Sequence, residues 1–136
     1  MAWVSKSLSI ALAACFLAGL SAPASAEPAA WDQARVTAIA QQLAEASTAW
    51  QAAVLRQPEA GMRMQENARA LFEQSTVLAA HLAKGRDHDQ TRDYYRGLKE
   101  VVDDTEELAS RAPLDEPSMD AWAKVADLMR QIAPYY

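Results

Sequence analysis

Apolar residues recur along most of this chain at steps of three and four, the repeat of a single helix face. From Trp31 to Gln57 they fall at Val36, Ile39, Leu43, Ala46, Trp50 and Ala53/Val54. Pro58 should end that helix, because a proline drives the residue before it out of the helical region. A second stripe, Met64, Ala68, Leu71, Ser75, Leu78 and Leu82, predicts a helix from about Ala60 to Lys84, with Gly85 as its C-terminal cap. The third stripe is Tyr94, Leu98, Val101, Thr105 and Leu108, widened by Tyr95, Val102 and Ala109. Asp87, with Gln90 three residues on, has the form of a capping box at its start, and Pro113 closes it.

The fourth helix opens at Leu114-Asp115-Glu116-Pro117. Asp115 is the expected cap, Pro117 sits in the first turn, where a proline is tolerated, and Leu114 and Met119 have the spacing of a hydrophobic staple. Trp122, Val125, Met129 and Ile132 form its stripe, and Pro134 stops it. Four amphipathic helices with short links bury their stripes best as an all-α, antiparallel up-down-up-down four-helix bundle. The near-heptad spacing suits crossing angles of about 20°.

The N-terminal stretch follows a different pattern. Leu8 to Leu20 is apolar all round, Lys6 precedes it, Ser21-Ala22-Pro23 breaks it, and Ala24-Ser25-Ala26 follows as a small-x-small site. That layout predicts a secretory signal peptide over residues 1–26, cleaved after Ala26, leaving residues 27–136 as the bundle domain. The apolar run is too short for an ordinary span of about 20 residues, and no second one follows, so no transmembrane helix is expected in the mature chain. Leu12-Ala13-Ala14-Cys15 has the look of a lipoprotein lipobox, with Cys15 as the lipidated residue. The apolar continuation Phe16-Leu17-Ala18-Gly19-Leu20 argues against it. The chain has one cysteine, so losing residues 1–26 removes any disulfide, thiolate metal site or cysteine nucleophile. The expected address is the periplasm, or full secretion.

Composition sharpens the picture in two places. The hydrophobic fraction is 51% and rich in alanine, which favours closely packed helices. The formal net charge is −5, and Lys6 is the one charged residue before position 27, so the mature chain carries about −6. An acidic domain with no basic cluster is a poor partner for nucleic acid or anionic lipid.

Motifs for chemistry are missing from the sequence. It has no Cys-x-x-Cys-His for a c-type haem, no His-Glu-x-x-His, no Gly-x-Ser-x-Gly, no P-loop and no dinucleotide fingerprint. A di-iron bundle needs Glu three residues before each histidine, and Leu78 and Gly85 stand before His81 and His88. A b-type haem held by Met64 and His81 fails on length, since seventeen helical residues separate them by about 25 Å. The first helix has no Met and the fourth no His. A Met129–His81 pairing passes on spacing alone, with nothing to single it out. These absences make an enzyme or a haem carrier the third-ranked reading, and no cofactor is expected.

In the expected topology the start of the first helix, the loop between the second and third, and the end of the fourth meet at one end. That end gathers Trp31, Asp32, His81, Asp87, His88 and Asp89 with Tyr94, Tyr95, Tyr135 and Tyr136. The other end gathers Trp50, Met64, Leu108 and Trp122. A fourth helix of about 17 residues spans roughly 25 Å against about 39 Å for the first, so it should stop short of the His/Tyr end. The gap would leave a ligand groove involving Trp31, Tyr94, Tyr95 and Tyr135. The residues there also have ordinary structural roles: His81 as a stripe-edge residue, His88 and its flanking aspartates as a solvated cap, and the tyrosines as core and rim. The run Asp103-Asp104-Thr105-Glu106-Glu107 reads as a solvated face. The leading expectation is a non-enzymatic exported bundle that works through a protein partner or a small ligand. The alternative is copper or zinc handling by His81, His88, Asp87 and Asp89, since imidazole suits both metals. The two imidazoles could share an ion only if His88 turns inward.

Overall fold

In a computed structural model, residues 28–136 are described; the expected signal segment, with Cys15, lies outside the described residues. Four helices follow one another: α1 (Gln33–Leu55), α2 (Met62–Ala83), α3 (His88–Ala109) and α4 (Glu116–Ile132). Short 3-10 turns occupy Pro58–Ala60 and Ala133–Tyr135, and there is no strand among the described residues. The architecture is all-α and consistent with a helical bundle. None of these helices is long and apolar enough to cross a membrane.

Local chemistry sets the ends. Asp32, Asp87 and Asp115 each stand just before a helix and accept from the backbone N–H three residues on, in Arg35, Gln90 and Ser118. At α3 the box is complete, because the Gln90 side chain accepts in turn from the Asp87 N–H. α2 ends in a Schellman turn: the Gly85 N–H donates to the Leu82 carbonyl and the Arg86 N–H reaches back to that of His81. Gly85 takes a φ of +80° there, in the left-handed region that glycine adopts without steric cost. Met119, expected to staple the start of α4, is instead more than half exposed.

The core draws on every helix. Val36, Ile39, Leu43, Trp50 and Val54 of α1 meet Met64, Leu71, Leu78 and Leu82 of α2, Leu98 of α3, and Val125 and Ile132 of α4, all fully or almost fully buried. Trp50 is the largest of them and lies 5.2 Å, ring to ring, from Trp122. Buried Ser47, Ser75 and Thr105 donate to carbonyls within their own helices, so they enter the core without orphaned hydroxyls. Thr105 is thus the inward member of the acidic run. Asp104 of that run is half-buried and ties α3 to α2, accepting from Arg63 at 2.7 Å and Asn67 at 2.5 Å.

α3 is turned by about one residue from the expected stripe. Its buried positions are Thr91, Tyr95, Leu98, Val102 and Thr105, while Tyr94 is exposed and Val101 and Leu108 are half-buried. Close backbone approaches join α1 to α2, α1 to α4 and α2 to α3, whereas α3 and α4 stand farther apart. A groove of about 170 Å³ runs between these two helices, floored by Tyr95, Val102 and Met129.

Candidate functional site

At the end of the molecule where α1 begins and α2 stops, the Gln33 amide donates to the carbonyls of Leu82 and Arg86, at 3.1 and 2.8 Å. The Ala29 N–H donates to the Pro134 carbonyl at 2.7 Å, bringing the chain after α4 to the same end. The Ala133–Tyr135 turn then carries Tyr136 into an aromatic cluster. Its ring lies flat on Tyr95, with centroids 4.2 Å apart and an angle of 7°, and stacks on His88 at 5.4 Å. Trp31 meets both Tyr136 and His88 edge-on, at 5.5 and 5.6 Å. The Tyr136 and Thr91 hydroxyls share a hydrogen bond of 2.7 Å. Burial raises the pKa of both Tyr95 and Tyr136, so both phenols stay neutral at physiological pH. Tyr136 thus packs across the opening expected beyond the end of α4, in contact with Trp31 and Tyr95. Tyr135 is half-buried against the core.

The candidate metal ligands are parted among different neighbours. His88 turns toward Trp31 and Tyr136, with its Nδ1 2.8 Å from Asp89. His81 stacks on Tyr94 at 4.3 Å instead, and Asp87 is engaged as the helix cap. No group of three or more His, Cys, Asp or Glu side chains gathers among the described residues. The His81 ring is partly exposed, but its Nδ1 is buried with no hydrogen-bond partner among the described residues. Desolvation lowers the His81 pKa, with help from the nearby charges of Arg86 and Lys84.

Tyr94 leads to a different site. With Glu73, Gln74 and Val77 of α2 and Asp93 and Gly97 of α3, it lines an open groove of about 330 Å³. Its inner ring face rests on His81, and the residue is 39% exposed. Val77 is 42% exposed, an apolar side chain facing out of α2. Gly97 deepens the groove: a Cβ there would stand 3.1 Å from the Gln74 Oε1. Of these lining residues the sequence reading picked out Tyr94 alone. The available signals were an apolar Val77 outside the α2 stripe and a glycine inside a helix, which commonly marks packing or function. The chain matches no family model, no curated protein and no solved structure.

Proposed function

We propose that this chain is an exported, non-enzymatic helical bundle that binds a small ligand in the groove between α2 and α3. The observation that carries the reading is that groove: it is open to solvent and presents the exposed ring of Tyr94 and the exposed Val77 from two packed helices. Its volume is at the lower end of the range for small-molecule sites, about 300–1,000 Å³. The groove has carboxylates, an amide and a phenol in its lining, polar groups that can orient a small ligand against the apolar contact. An up-down-up-down antiparallel topology suits this arrangement. It is supported by the bonds from Gln33 to the end of α2, from Arg63 to Asp104 late in α3, and from Asp115 to Gln57 after α1. Handling of copper or zinc by His81 and His88 draws no support from the separate aromatic partners of the two rings.

Two experiments test the reading. Export predicts that protein recovered from the native cell envelope has an intact mass beginning at Glu27; a diacylglyceryl group on Cys15 would count against cleavage after Ala26. For binding, a library of small soluble fragments is titrated into labelled protein and followed by amide NMR. Saturable shifts should collect at Val77, Tyr94 and Gly97, with every fragment recovered unchanged. If fragments shift other regions and leave these three still, the groove is not the site.

A further inference from the structure

Resting on that reading of the groove, we infer that its ligand is a small organic cation: an ammonium group carried on an apolar body. Three features of the groove point the same way. The formal charges in its lining are those of Glu73 and Asp93, both carboxylates, one from each helix. The Tyr94 ring lines the same groove, and the π face of such a ring attracts a cation placed within about 6 Å. Val77 and Gly97 supply apolar contact for the rest of such a molecule.

The surroundings reinforce this choice. The imidazole stacked behind Tyr94 is His81, whose lowered pKa keeps it uncharged at neutral pH, so no cation already occupies the inner face of the ring. The chain as a whole carries −5, a field that draws cations in and turns anions away. Arg69 and Arg96 pair with Glu73 and Asp93, at 3.0 and 3.7 Å, but neither arginine lines the groove. Both pairs lie in solvent, with every partner more than half exposed. Exposed ion pairs of this kind hold weakly and can give way to a ligand charge.

Three probes of similar size and different charge separate the possibilities: benzyltrimethylammonium, benzyl alcohol and benzenesulfonate. Each is titrated into the purified protein and followed by amide NMR at Val77, Tyr94 and Gly97. Benzyltrimethylammonium should bind at these positions more tightly than the other two, and its affinity should fall as salt is raised. Tyr94→Leu should weaken it about 2–5-fold, the worth of a solvent-exposed cation–π contact, and Tyr94→Phe should retain it. Glu73→Gln combined with Asp93→Asn should weaken it further and remove most of the salt dependence. Thermal melts of each variant establish that the fold is kept. If benzyl alcohol or benzenesulfonate binds the groove as well as the cation, the inference is overturned while the groove remains a binding site. If none of the three moves these resonances, both the inference and the groove reading fall.

Discussion

His81 shows how a single side chain can make this fold sensitive to acid. Its Nδ1 is buried and has no hydrogen-bond partner among the described residues, so a proton there would sit without an acceptor. The ring accordingly holds its neutral form to lower pH than a free imidazole. The unfolded chain, with a histidine pKa of about 6.5, then binds more protons than the folded one just below that pH. The stability that His81 contributes is fully present above about pH 6.5 and is lost as pH falls from there toward the depressed folded value. The urea midpoint of the protein should therefore be lower at pH 5.5 than at pH 7.5. In His81→Gln the decline should be shallower, and the difference between the two proteins isolates this residue from other titrating groups. Parallel declines would mean that the ring titrates freely.

At the scale of the element, α3 explains what the pattern could and could not decide. Three adjacent pairs, Tyr94/Tyr95, Val101/Val102 and Leu108/Ala109, offer an apolar residue on either side of the boundary, so two faces one residue apart fit equally well. The structure chooses Tyr95 and Val102, and it adds Thr91, which no hydrophobicity count would select. Thr91 can be buried because its hydroxyl donates to the Asp87 carbonyl and meets that of Tyr136. Val102→Ala should cost about 2 kcal/mol as two buried carbons are lost, and the half-buried Val101→Ala clearly less, by denaturant melts. The helix ends, by contrast, were readable residue by residue. Asp87 with Gln90, Asp115 and Gly85 each carry a local signal that needs no tertiary partner to act.

The same helix contains Gly97, where the two demands on an element pull apart. A glycine inside a helix costs up to about 1 kcal/mol relative to alanine. An alanine Cβ at this position would come within 3.1 Å of the Gln74 Oε1, the free end of a flexible side chain that can swing aside. Gly97→Ala should therefore raise stability by about 0.5–1 kcal/mol, read as a higher urea midpoint. It should also make the groove shallower, so benzyltrimethylammonium should bind the variant less well than the parent protein. A gain in stability with unchanged binding would place the ligand away from Gly97.

For the molecule as a whole, the central core was legible because Leu43, Leu71, Leu98 and Met129 each occupy unambiguous positions on their stripes, and all four are buried. The closure of the His/Tyr end was not, because periodicity ends at Pro134 and says nothing of where the last residues go. α4 packs on α1 and stands away from α3, and Tyr136 bridges that separation by lying on Tyr95 and bonding Thr91. The ring thus clips the start of α3 to the end of α4. Tyr136→Ala should cost about 1–3 kcal/mol, the worth of a half-buried aromatic. Tyr136→Phe keeps the stack and loses the hydroxyl, so its cost should be about 0.5–1.5 kcal/mol. Combining it with Thr91→Val should be less than additive, because both changes remove one hydrogen bond. Hydrogen exchange gives the sharper test, since local opening follows the loss of local contacts. In Tyr136→Ala the amides of the first two turns of α3 should exchange faster relative to those in the middle of α1. If exchange rises evenly along all four helices, Tyr136 stabilises the fold only globally and the clip is refuted.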